Sequence, residues 1–221
     1  MLIILYLVSI IYTIKNDGKL KGSGKDMKKK SVMLVLILVL SSLLAACGSY
    51  KFEPELNIEV QDFSVTNQKN EKVSLDTFKG KPWLAMFIFT NCNTICPPMT
   101  SNMTEVQKAL QDEGVEDYQI VAFSVDPEVD KPDVLTNYLK SYSVPDASKW
   151  QLLTGYDQKF IEQFAMKSFN SHVRNDPNSD QVIHMGSFYL VNADGIVVKD
   201  YSGNTEVPVE TIVADMKALS K

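Results

Sequence analysis

Trp83-Leu84-Ala85-Met86-Phe87-Ile88-Phe89 runs directly into Thr90-Asn91-Cys92-Asn93-Thr94-Ile95-Cys96-Pro97-Pro98. Seven apolar residues without polar alternation read as a strand buried on both faces, which requires helices on both sides of its sheet. Pro97 and Pro98 lack a backbone N–H and suit a first helical turn, whose donors have no intrahelical partner. Met99, Met103, Val106 and Leu110 then recur at helical spacing, with Gly114 as the stop. Two thiols four positions apart therefore stand where a buried strand hands over to a helix. The positive end of a helix macrodipole favours thiolate there. Three intervening residues let both sulfurs converge, on each other as a disulfide or together on one ion.

Working outward, Ile58 to Thr66 alternates apolar and polar with a slip near Asp62, the pattern of a bulged strand. A turn at Asn67–Asn70 and a return through Val73–Leu75 make a hairpin, followed by a short helical segment at Asp76–Lys79. Gln119–Val125 is the next strand, and Asp130 is placed to cap a helix carrying Pro132 in its first turn, with Val134, Leu135, Tyr138, Leu139 and Tyr142 inward. Trp150–Leu153 is a short strand, Tyr156–Ser168 a helix and Ser171–Asp180 a polar loop. Ser187–Val191 and Ile196–Tyr201 flank Asn192-Ala193-Asp194-Gly195, a hairpin turn, and Pro208 opens a last helix. The alternating order predicts a single α/β domain over residues 58–221. Its features are a central mixed sheet, helices on both faces and an N-terminal β-hairpin. With cysteines at the end of the first long buried strand, that pattern is thioredoxin-like.

The net charge of −5 conceals an asymmetry, because residues 1–47 hold seven Lys and two acids, leaving 15 basic against 25 acidic residues in 48–221. An acidic domain argues against nucleic acid as a partner, since phosphate binding needs clustered Lys and Arg. Residues 27–46 read as a signal peptide: Met27-Lys28-Lys29-Lys30, then apolar Val32–Leu40, then Leu44-Ala45-Ala46 before Cys47. The last four residues of that run are similar to the bacterial lipoprotein box, which implies lipidation of Cys47 and anchorage on the outer face of the bacterial cell membrane, with residues 47–57 as lipidated cysteine and polar tether. Residues 1–26 fit this poorly. Their apolar part, Met1–Ile14, falls short of the roughly 17–25 residues a span requires. They read as upstream sequence attached by a wrong start codon, or alternatively as a second anchor.

The thiol pair admits three readings. A disulfide staple suits an extracytoplasmic protein but closes a very small loop, where loop-closure stabilisation is least. A redox exchange pair normally has two intervening residues rather than three. A metal pair needs a further ligand, and the chain has only His172 and His184 to offer an imidazole. His172 sits in the polar loop and reads as solvated. His184 lies in Val182-Ile183-His184-Met185-Gly186, at the junction where thioredoxin-like folds carry a cis-proline facing the thiols. It is either a structural histidine or the third ligand. Asp126, ending the strand beside Trp83–Phe89, is either a carboxylate facing the site, as acceptor or extra oxygen ligand, or a turn cap before Pro127.

Phe89-Thr90-Asn91-Cys92-Asn93-Thr94-Ile95-Cys96-Pro97, Phe123-Ser124-Val125-Asp126-Pro127-Glu128, and Ile183-His184 before Phe188-Tyr189-Leu190-Val191 and Asp194-Gly195 together resemble the Sco (SenC) proteins of cytochrome c oxidase assembly. The resemblance spans about residues 58–219. It implies one copper ion, Cu(I) or Cu(II), held by Cys92, Cys96 and His184, and a role in maturing the dinuclear copper centre of oxidase subunit II. Met185 departs from the family, where a small polar residue is more usual; it is a soft ligand or a core filler. Two thiolates and an imidazole suit copper, whereas structural zinc usually takes four protein ligands. A Cys92–Cys96 disulfide would block the site, so a membrane-tethered thioredoxin-like reductant is an expected partner. The competing functions are a copper-delivering assembly factor without turnover, a thiol–disulfide oxidoreductase keeping subunit II cysteines reduced, and a peroxidase of related fold.

Overall fold

The computed structural model describes residues 50–220. The 1–26 extension, the 27–46 signal and Cys47 lie outside the described residues. Among the described residues there are ten strands: β1 Ile58–Glu59, β2 Ser64–Asn67, β3 Lys72–Ser74, β4 Trp83–Ile88, β5 Gln119–Ser124, β6 Trp150–Thr154, β7 Val173–Asn175, β8 Val182–His184, β9 Ser187–Val191 and β10 Ile196–Ser202. Four α-helices join them: α1 Cys96–Asp112, α2 Pro132–Ser141, α3 Gln158–Phe169 and α4 Val209–Leu219. Eight strands form one sheet in the order β1-β10-β9-β4-β5-β6-β2-β3, and β7-β8 is a separate ribbon.

The apolar run behaves as its composition demands. All six residues of β4 are buried, with β5 parallel on one side and β9 antiparallel on the other. Alternate side chains enter two cores. Leu84, Met86 and Ile88 meet Met99, Met103, Val106 and Leu110 of α1, Leu135 and Leu139 of α2, and Ile212 and Met216 of α4. Trp83, Ala85 and Phe87 meet Phe63, Phe123 and the α3 residues Ile161, Phe164 and Phe169. Helices thus cover both faces, and the thioredoxin-like α/β architecture stands.

The N-terminal segment differs from the expected single strand. Ile58–Glu59 pairs with β10 at one edge of the sheet, whereas Ser64–Asn67 pairs with β3 and β6 at the other. Residues 60–63 cross between them over the α3 side, burying Val60 and Phe63 and donating Gln61 N–H to Ser168 Oγ at 3.0 Å. The slip near Asp62 is where the chain leaves one edge for the other, and the hairpin is confined to β2-β3. The expected short helix after it is a single 3₁₀ turn at Leu75–Thr77. The segment read as a tether is laid on the fold from Tyr50 onward. Glu55 and Leu56 both donate to Val198 O, at 2.8 and 2.9 Å, and the Tyr50 hydroxyl donates to the buried Asp215.

Two further corrections concern loops. Ser171–Asp180 is not wholly irregular, because Val173–Asn175 pairs with Val182–His184. Asp130 does not cap α2: Lys131 occupies that position, and the Asp130 side chain turns inward to Thr90 and Ser124. The β9-β10 turn is as expected. Asn192 Oδ1 accepts from Asp194 and Ile196 N–H, and Gly195 takes φ +83°, a region that penalises a Cβ.

Candidate metal centre

The strand-to-helix junction delivers both thiols. After β4 the chain turns at Phe89, whose carbonyl accepts from Cys92 N–H at 3.3 Å, and Cys96 is the first residue of α1, with Ile95 before it and Pro97 and Pro98 in the first turn. Cys96 is fully buried and Cys92 half-buried; neither is in a disulfide. His184, at the end of β8, is 8 % exposed and meets Phe89 edge-on at a centroid distance of 5.9 Å.

The ribbon that carries His184 is fastened on both sides. Asn91 Nδ2 donates to Asp180 Oδ2 at 2.9 Å and Gln181 Nε2 donates to Asn91 O at 3.2 Å, tying the ribbon to the cysteine loop. Beyond it, Gly203 N–H donates to Gly186 O at 2.8 Å. Gly186 itself lies against α1, where an added Cβ would come 3.7 Å from Met99 Sδ.

The result is a group of three ligand atoms. The Cys92 and Cys96 sulfurs and one His184 ring nitrogen all lie within 4.8 Å of one another. Metal–sulfur bonds of ~2.3 Å and metal–nitrogen bonds of ~2.0 Å in a trigonal arrangement need ligand separations of ~3.7 to ~4.0 Å. The donors are therefore placed for one ion without rearrangement of the backbone. The tautomer follows from His184 Nδ1, 3.0 Å from Met185 O. A carbonyl only accepts, so Nδ1 carries the proton, and the Nε2 lone pair faces Cys96 Sγ at 3.3 Å. Among the described residues no fourth His, Cys, Asp or Glu joins the group. Two sulfurs and one imidazole select a soft or borderline ion.

The two thiols are electrostatically unequal. A hydrogen bond from the Cys96 thiol holds Cys92 down to about 3, against a desolvation that alone would raise it, with the Thr94 and Cys96 backbone N–H groups drawing it further down. Cys96 N–H lies 3.3 Å from Cys92 Sγ. The same pairing, together with burial, pushes Cys96 far up. Cys92 is thus the thiol that gives up its proton first, and Cys96 the one that keeps it.

Asp126 stands outside this group. Burial pushes its carboxyl upward, and its main-chain carbonyl accepts from Val129 N–H at 3.2 Å and Asp130 N–H at 2.9 Å. Met185 is 46 % exposed and so is not a core filler. His172 is exposed, in keeping with a solvated side chain. Asp130 was misplaced by sequence reasoning. The available signal was Thr90 and Ser124, two hydroxyl residues at the ends of adjacent strands.

A thioredoxin-like domain with a Cys-x3-Cys pair at a helix start and an imidazole from a neighbouring ribbon defines a class of protein whose two thiols and imidazole can meet on one soft or borderline ion. Residues 53–221 match the SCO1/SenC family, and the chain belongs to that family. It resembles a SCO1/SenC family lipoprotein from Bacillus anthracis, 43% identical, at TM-score 0.73 over 78% of this chain and 100% of that one. It also resembles BsSco, described as a member of the Sco family of cytochrome c oxidase assembly proteins with a disulfide switch; identity is 49% and TM-score 0.71, over 77% of this chain and 98% of that one. Bradyrhizobium japonicum ScoI with copper bound is 28% identical at TM-score 0.62, over 73% of this chain and 99% of that one.

Proposed function

We propose that this chain is a membrane-anchored, extracytoplasmic copper-binding protein that assists assembly of the dinuclear copper centre of cytochrome c oxidase subunit II. Copper is its cargo, one ion per chain, ligated by Cys92, Cys96 and His184. The observation that carries the reading is the convergence of those three ligand atoms within 4.8 Å in a member of this family. A copper-bound relative and a relative with a disulfide switch support the ion and the gate respectively.

The residues divide the work. Cys92, already a thiolate and half exposed, meets the incoming ion first. Cys96 yields its proton as the ion arrives, so loading releases protons. His184 presents Nε2, and Met185 O keeps the ring from turning. Oxidation of Cys92 and Cys96 to a disulfide withdraws two ligands at once, so loading depends on a reductant, for which a membrane-tethered thioredoxin-like protein is the fitting partner. Residues 27–46 serve as signal peptide and Cys47 as the lipidated first mature residue. Their order of basic run, apolar core and small residues before cysteine, and the lipoprotein relative, support this placement.

Anaerobic titration of the reduced protein with Cu(I) and Cu(II), followed by mixing with apo subunit II, tests the proposal. Transfer of the ion upholds delivery. Reduction of the partner's disulfide without transfer establishes instead a thiol–disulfide oxidoreductase. The observation favouring that second reading is the pairing of an exposed thiolate with a buried, protonated thiol. Changing His184 to Ala separates the two, since metal binding needs the imidazole and thiol exchange does not.

A further inference from the structure

The turn between β5 and α2 sends one carboxylate back beneath the cysteine loop. Asp130 is fully buried, and its neighbours are donors drawn from two adjacent strand ends. Oδ1 accepts from Thr90 N–H at 3.2 Å and from the Thr90 hydroxyl. Oδ2 lies 3.3 Å from the same N–H and accepts from the Ser124 hydroxyl at 2.6 Å. Ser124 is itself held, since its hydroxyl receives Asp126 N–H at 3.1 Å and its carbonyl receives the Tyr156 hydroxyl at 2.8 Å. Among the described residues no Lys, Arg or His comes within ion-pair reach of Asp130.

A buried carboxylate with no cation beside it depends wholly on its hydrogen-bond donors. Here the principal donor is a single residue. Thr90 gives Asp130 both its backbone N–H and its hydroxyl, so the carboxylate fixes the main chain and the side-chain rotamer together. Thr90 stands two positions before Cys92, just beyond the Phe89 carbonyl that receives Cys92 N–H. The direction in which the chain leaves β4 is thereby set from below. The other ties on the loop, through Asn91, lie on the exposed side.

We propose that Asp130 is the positioning residue of the thiol pair: by clamping Thr90 it brings Cys92 within bonding reach of Cys96 and His184. This rests on the reading that the pair cycles between dithiol and disulfide. Closing the disulfide in a loop already set requires little further ordering, whereas a loop released at Thr90 must be ordered first. Loss of the clamp therefore shifts the equilibrium toward dithiol.

The measurement equilibrates the full chain, metal-free, with dithiothreitol and its cyclic disulfide. In the exchange the Cys92–Cys96 bond breaks, dithiothreitol supplies two electrons and becomes the cyclic disulfide, and its two thiol protons pass to the protein sulfurs or the medium. Alkylation and mass spectrometry of the peptide bearing both cysteines read the ratio. Asp130→Asn keeps the size of the side chain but lets only one of its two terminal atoms accept. It is expected to move the equilibrium constant about tenfold toward dithiol, ~30 mV more oxidising. Thr90→Val, which removes only the hydroxyl, moves it about threefold in the same direction, and Thr90→Ser restores the parent value. Leu110→Ala, which loosens the far end of α1, leaves the constant unchanged although the protein is less stable. The clamp is refuted if Asp130→Asn and Thr90→Val both stay within twofold of a parent that does form the disulfide, and Thr90→Val decides alone if Asp130→Asn does not fold. A parent that forms no disulfide in the most oxidising mixture overturns the gate, and the clamp with it.

Discussion

The inequality of the two thiols has a kinetic signature that can be worked through. A free cysteine, pKa ≈ 8.5, is only ~0.3 % thiolate at pH 6, whereas Cys92, held down to about 3 by the Cys96 thiol, is fully ionised there. Its thiolate is also the weaker nucleophile. With a Brønsted slope of about 0.45, a pKa lower by roughly 5.5 units reduces intrinsic reactivity by about 300-fold. The two effects cancel near pH 6. Alkylation of Cys92 in the reduced, metal-free protein should therefore match a free thiol near pH 6, exceed it about tenfold at pH 5 and fall well below it at pH 8. Its own rate should stay flat from pH 5 to 8. Iodoacetamide labelling read peptide by peptide gives the profile. Cys96→Ala removes the leading cause of the depression and should restore a pH-dependent limb. A parent rate that falls tenfold per pH unit below pH 8 would refute the assigned thiolate. The linkage for Cys92 runs with the same sign: its depressed pKa adds stability present above the unfolded value of ~8.5 and lost as pH falls toward 3. The raised Cys96 acts oppositely and costs stability as pH rises above ~8.5.

Replacement of His184 by Ala should weaken copper binding by at least a hundredfold in a competition titration, while the Cys92–Cys96 disulfide still forms in redox buffer. Gly203→Ala would put a Cβ 2.8 Å from the ring of the fully buried Phe188, so a loss of about 1–3 kcal/mol in urea unfolding is expected. Asp215 is fully buried and takes the Tyr50 and Tyr201 hydroxyls and Lys199 Nζ, the last at 3.2 Å. Asp215→Ala should cost about 3 kcal/mol by the same assay, at the low end for a broken buried pair because Lys199 retains Glu55 at 2.9 Å.

What the sequence revealed depended on how far each signal had to reach. The uninterrupted apolar run of β4 and the prolines after Cys96 are local, and both elements stand where they were expected. Asn192–Gly195 likewise determined its own turn. Ile58–Thr66 misled because Val60, Phe63 and Val65 all enter one core, although the chain crosses from one sheet edge to the other beneath them. The β7-β8 ribbon was invisible for another reason: three-residue strands are too short to display a period. His184 was found as a candidate through its position before β9, yet its approach to Cys96 across 88 residues is a property of the fold. Asp130 followed a generic preference for acids at helix starts, and two hydroxyls distant in sequence outweighed it.

The sheet ends in fragments. Its outermost strands, β1 and β3, are two and three residues long, and each strand of the separate ribbon is three. Lys72, exposed on β3, adds charge at one rim. The edge strand β1 meets only Ile196 and Val197 of the seven-residue β10, so along Lys199–Ser202 that strand is paired in the sheet on its β9 side alone. Four residues make a short ladder for another chain to extend, and Lys199 and Asp200 place charge along it, which discourages strand addition there.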